Sequence, residues 1–146
     1  MEDKNNDKIC HTIMYEHYNK ITKNNDQLSM YIIMTKAMSE ELRNNKIYQY
    51  FWDATYRCVP PTFRSFKLYV ISGFNTLDKR TRILSFILIP NETLITFYTM
   101  LDKLKNDYDF NPKIFTIEFN KTSAKALKQV FPKVYIVKCF FILSIV

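Results

Sequence analysis

Glycine is almost missing from this chain. Gly73 is the only one in 146 residues, where ordinary usage of about 7% would supply about ten. A dinucleotide-binding turn needs three glycines and a phosphate-cradling loop needs two, so no glycine-built nucleotide cofactor site is expected. The one glycine lies where Ile71-Ser72-Gly73-Phe74-Asn75 runs towards a turn, and it is expected to serve backbone geometry there. Cysteine is nearly as sparse. Cys10, Cys58 and Cys139 are widely spaced and odd in number, which indicates neither a disulfide framework nor a CxxC metal site and points to a reducing compartment. With only His11 and His17 beside Cys10, no paired ligand spacing exists and no zinc is expected. Long apolar runs are also lacking. The longest, Val134 to Val146, is interrupted by Lys138 and is too short to cross about 30 Å of hydrocarbon as a helix. It reads as a buried strand, and no membrane association is expected. The N-terminal MEDKNNDKIC has no apolar segment, so no secretory leader is expected. Acids run out towards the other end: no Asp or Glu follows Glu118.

What is present suits a folded domain. Residues are 47% hydrophobic and 16% aromatic against 24% charged, enough apolar material for a core and too much for a disordered tail. The length fits one domain plus a short extension. The formal net charge is +7, which suits a polyanionic partner but is scattered along the chain instead of gathered in one run.

Residues 1–46 are Asn- and Lys-rich. Leu28, Tyr31, Ile32, Met38 and Leu42 recur near a 3.6-residue period, so this part is expected to be a helical or irregular extension. Residues 47–146 read differently. Ile47 to Thr55, Lys67 to Phe74 and Ile83 to Ile89 are aromatic and β-branched strands, the last two joined as a hairpin. Asn91-Glu92-Thr93 and Asn120-Lys121-Thr122 match the glycosylation pattern but are read as helix starts. The first opens a helix with Leu94, Phe97, Tyr98, Leu101 and Leu104 on one face, and the second a helix with Ala124, Leu127 and Phe131 inward. Short strands from Lys113 to Ile117 and from Lys133 onward complete the order βββαβαβ. Helix-length connections after the third strand imply parallel pairing. An α/β fold with a ribonuclease H-like mixed sheet has this layout, and periodicity alone leaves other α/β sheets open.

Two acids fall at strand ends. Asp53 lies late in the first of these strands, and Glu118 follows the fourth. If those strands are neighbours, both carboxylates converge at the end of the sheet where open α/β sheets bind ligands. Hard oxygen ligands suit Mg²⁺, and a pair of such ions, which also needs a third carboxylate, can assist phosphodiester cleavage. A helix start also favours an acid as a cap or dipole partner, which Glu118 fits equally well.

The segments Phe51-Trp52-Asp53-Ala54-Thr55-Tyr56-Arg57-Cys58-Val59-Pro60, Leu68 to Phe74, Ile89-Pro90-Asn91-Glu92-Thr93, Phe119-Asn120-Lys121 and Val130-Phe131-Pro132 together resemble the catalytic domain of Mutator-like (MULE) transposases. In that family the first segment reads like D-G-T-F-K-C-V-P, the fourth like T-D-F-E-x-A, and the last strand ends in C-x-x-H. The resemblance implies a DDE-type ribonuclease H-like domain, Mg²⁺ or Mn²⁺, DNA as substrate and a nuclear workplace. Asp53 matches the first catalytic aspartate. Glu118 stands where the second aspartate belongs, Ile142 stands at the histidine position after Cys139, and the third acid would lie beyond Val146. The resemblance therefore implies a truncated, catalytically inactive, transposase-derived domain that binds metal weakly. The alternatives are an active nuclease or transposase completed by further residues, and a non-catalytic DNA-binding or protein-interaction module. For DNA contact the candidate cations are Lys67, Lys79, Arg80, Arg82, Lys121, Lys125 and Lys128. The solvated-turn reading of Lys79-Arg80-Thr81-Arg82 stands beside its reading as a nuclear signal. An uncovered C-terminal strand would also favour self-association, and Trp52 is expected in the core.

Overall fold

The computed structural model describes residues 13–21, 27–44, 46–55, 59, 61–118 and 120–139. Its strands are β1 (Ile13–Ile21), β2 (Gln27–Thr35), β3 (Ile47–Thr55), β4 (Lys67–Asn75), β5 (Arg80–Ile89), β6 (Ile114–Ile117) and β7 (Tyr135–Lys138), and its helices are α1 (Lys36–Leu42), α2 (Leu94–Tyr108) and α3 (Lys121–Val130). All seven strands join one sheet in the order β1-β2-β5-β4-β3-β6-β7. The fold is mixed α/β. β3, β4 and β5 form an antiparallel meander, after which β6 pairs parallel with β3 and β7 parallel with β6. α2 and α3 supply the crossovers that parallel pairing requires.

Alternation explains the sheet. In β4 every second residue from Tyr69 to Asn75 is buried, as a strand with one covered face demands. Met30, Ile32 and Met34 of β2 and Tyr50 and Trp52 of β3 are buried on the same plan. Across the helix layer, Trp52 stacks on Phe97 of α2 with ring centroids 5.4 Å apart and meets Tyr69 and Phe115 edge-on. Phe110 links Tyr50, Phe115 and Phe131 in the same manner. Trp52, 4% exposed, is a core residue, as its sequence context implies. On the other face Phe63 and Phe66 close edge-on over Tyr31.

The helical pattern expected from Leu28 to Leu42 is helical only in its last part. β1 and β2 are an antiparallel hairpin that extends the sheet beyond β5, and only Lys36–Leu42 is helical. The run Met30-Tyr31-Ile32-Ile33-Met34 satisfies a two-residue period as well as a 3.6-residue one, and pairing of Tyr31–Ile33 with Phe86–Leu88 decides between them. Thr35 then caps α1, its hydroxyl accepting from the Met38 amide at 3.1 Å.

Both helix starts lie close to their expected positions. Thr93, not Asn91, is the N-cap of α2; Asn91 instead accepts from the hydroxyls of Thr93 and Thr96 at 2.9 and 2.5 Å. Asn120 caps α3, accepting from the Thr122 and Ser123 amides. Tyr98 faces solvent, and α2 buries Phe97, Met100, Leu101, Leu104 and Tyr108. Gly73 corrects another expectation. No glycine has a positive φ, so turn geometry does not require it. A Cβ there would stand 2.8 Å from both Ile47 Cγ2 and Leu84 Cδ1; glycine is needed for space. Of the long C-terminal strand expected to be buried, the part through Lys138 is present as β7, but at the sheet edge and with no buried residue; residues 140–146, including Ile142, lie outside the described residues, as do Cys10, His11 and Cys58. No helix among the described residues is long and apolar enough to cross a membrane.

Candidate functional site

β3 and β6 are neighbours, as convergence of the two acids requires. Their register pairs Gln49 with Ile114 and Phe51 with Thr116. Two further residues along each parallel strand set Asp53 beside Glu118, with both side chains on the same face. Gln49 Nε2 donates to Thr116 Oγ1 at 2.5 Å and ties the two strands together on that face. The Ala54 amide donates to Glu118 Oε1 at 3.4 Å, and the Glu118 carboxyl is also hydrogen-bonded to the side chain of Asp53. Asp53 is exposed and Glu118 half-buried.

Burial pushes the Glu118 carboxyl above its ordinary value, and the hydrogen bond to Asp53 pushes it the same way. The amide of Ala54 opposes this, and the negative charges of Asp53 and Glu92 reinforce it. A like charge beside the Glu118 carboxyl disfavours its ionised form.

The third acid at this end is Glu92, which the sequence reading used only as part of a helix start. β5 runs parallel to β3 through the antiparallel β4 between them, so the loop leaving β5 emerges at the end of the sheet that holds Asp53 and Glu118. That topological relation is the signal that would have found it. Glu92 is committed elsewhere. It accepts from Lys67 Nζ at 2.5 Å and from the Tyr69 hydroxyl. Among the described residues, no three His, Cys, Asp or Glu side chains gather closely enough to hold a metal ion.

The candidate DNA-contact cations are distributed over three places. Lys67 sits at the carboxylate end, bound to Glu92. Lys79, Arg80 and Arg82 lie at or beside the β4–β5 turn, at the opposite end of the sheet, where Arg82 bonds Asp78 and reaches Glu41 at 3.4 Å. Lys79 has a left-handed φ of 61° and closes the turn, whereas Arg80, Thr81 and Arg82 already pair with β4 as the start of β5. Lys121, Lys125 and Lys128 follow one face of α3 at helical spacing, and Lys128 Nζ donates to the Val134 carbonyl.

At the end of the sheet away from the carboxylates lies a cleft of about 320 Å³ between the last turn of α3, the lead-in to β6 and the end of α2. A second of about 230 Å³ adjoins it through Asn111 and Lys113. Neither touches Asp53 or Glu118. No protein-family model matches the chain, and no curated protein does either.

Proposed function

We propose that the chain is a ribonuclease H-like domain derived from a Mutator-like transposase, in which the carboxylate pair survives but strand cleavage does not. The observation that carries the reading is the side-by-side placement of Asp53 and Glu118 on adjacent parallel strands. The arrangement of β5-β4-β3-β6-β7, antiparallel through β3 and parallel beyond it, supports it further, since this is the sheet order expected of that fold.

The family reading implies Mg²⁺ or Mn²⁺, and the residues do not fit a two-ion centre. Such a centre needs carboxylates free to bridge and flank two cations about 3.5 to 4 Å apart. Here Glu118 is drawn to an amide and to Asp53, and Glu92 is neutralised by Lys67 and the Tyr69 hydroxyl. No cleavage step is therefore assigned to the site. Nuclear localisation and a former DNA substrate belong to the same reading and rest on the segment resemblance.

The test is nicking of supercoiled plasmid DNA by the full chain with Mg²⁺ and, separately, Mn²⁺, beside the Asp53→Ala variant. We expect equal background from both proteins. Divalent-ion-dependent nicking lost in Asp53→Ala would overturn the reading in favour of an active nuclease.

A further inference from the structure

The double cleft at the far end of the sheet has a consistent chemistry. The larger part is floored by Pro112, Val130, Phe131 and Val134, all buried side chains that present apolar atoms to the opening. Lysines rim it. Lys105 Nζ donates to the Val130 carbonyl at 3.2 Å and stands 5.9 Å from the centre of the Phe131 ring, which leaves it further N–H donors. Lys113 and Lys133 are exposed and have no carboxylate partner among the described residues. Arg43 rims the adjoining part, opposite Asp109 at 4.0 Å. Four cations thus surround the double cleft with one lining acid.

We propose that this cleft binds an acidic peptide segment, with one apolar side chain seated on the floor between Pro112, Phe131 and Val134 and flanking Asp or Glu carboxylates on Lys105, Lys113 and Lys133. Charge complementarity selects an anionic partner. The concave apolar floor selects a partner with a side chain to bury, and a cleft of about 320 Å³ has room for one of leucine or phenylalanine size. Single-stranded nucleic acid fits less well, because base stacking needs an exposed aromatic face and Phe131 is 4% exposed. The ends of α2 and α3 also point their carbonyls here, and that partial negative charge disfavours a bare polyanion. The lysines offset it locally, where a carboxylate beside an apolar anchor can use them.

The experiment is fluorescence anisotropy of a fluorescein-labelled Glu-Asp-Phe-Asp-Glu peptide titrated with the full chain in about 0.1 M salt, where the screening length is about 10 Å, with a Glu-Asp-Ser-Asp-Glu peptide and labelled oligo-dT as comparisons. We expect saturable binding of the Phe peptide, weakened about tenfold or more by Lys113→Glu with Lys133→Glu, since two attractive charges become repulsive ones. Arg64→Glu, a charge reversal at an exposed residue just before β4, at the carboxylate end of the sheet, should leave the affinity within about twofold, since it lies beyond the screening length from the cleft. The Ser peptide should bind more weakly than the Phe peptide. Should the double reversal disturb folding, seen as a changed Trp52 emission maximum, Lys113→Ala with Lys133→Ala replaces it and is expected to weaken binding in the same direction. Equal binding of the Ser and Phe peptides, equal loss in Arg64→Glu, no binding of the Phe peptide, or oligo-dT binding that alone depends on Lys113 and Lys133 would each overturn the proposal.

Discussion

At the scale of single residues, two side-chain environments make claims that a substitution can check. Gly73→Ala places a methyl 2.8 Å from Ile47 Cγ2 and Leu84 Cδ1. Leu84 can swing its tip aside, but the Ile47 methyl is fixed to a stiff β-branched carbon, so overpacking should cost about 1–3 kcal/mol, read as a lower urea midpoint with an unchanged slope. Glu118 makes a claim about pH. Its carboxyl is held above its ordinary value of 4.5 in the folded state, so the folded chain keeps a proton that the unfolded chain has released. Stability is therefore fully present below 4.5 and declines as pH rises through the folded value. Glu118→Gln, which mimics the protonated group, should melt higher than wild type at neutral pH, and the difference should close as the pH falls to the unfolded value, as differential scanning fluorimetry across pH would record. The presence of an acid at residue 118 was legible in the sequence. Its raised proton affinity was not, because that depends on Asp53 and on burial supplied by elements distant along the chain.

At the scale of elements, α3 depends on its first residue. Asn120 accepts from the Thr122 and Ser123 amides at 2.9 and 3.2 Å, and its own amide donates to the Glu118 carbonyl at 2.7 Å. Asn120→Ala should cost about 0.5–2 kcal/mol, measured by denaturant unfolding followed through Trp52 fluorescence, and a cost near zero would count against this cap. β4 and α2 were legible because each carries one period strongly: Tyr69 to Asn75 alternate, and Phe97, Met100, Leu101 and Leu104 repeat at helical spacing. The hairpin of β1 and β2 was not. Its apolar run Met30 to Met34 serves either period, and the choice is made by pairing with β5, a contact no local window contains. Asp109 ends α2 in a left-handed conformation at φ 54°, a place where an asparagine or aspartate substitutes for the glycine this chain rarely uses.

At the scale of the whole molecule, the sheet separates two chemistries. The carboxylates Asp53, Glu118 and Glu92 collect at one end, while Arg43, Lys105, Lys113 and Lys133 line clefts at the other. The first grouping was half legible, since neighbouring parallel strands bring Asp53 to Glu118 but only the full strand order brings Glu92 near them. The second was not legible, because its four cations come from α2 and three separate connections and share no spacing in the chain. The scattered positive charge thus becomes two different things in three dimensions, a basic cleft and a set of lysines on α3. The claim on which the functional reading rests is the pairing of Asp53 with Glu118. The measurement that tests it most directly is a ¹³C NMR titration of the Glu118 side-chain carboxyl carbon in wild type and in Asp53→Asn. The structure predicts that Glu118 titrates above 4.5 and moves part of the way back when the Asp53 charge is removed, with the remainder held by burial. A Glu118 that titrates at or below its ordinary value and ignores Asp53→Asn would contradict the pairing, and with it the proposed origin of the site.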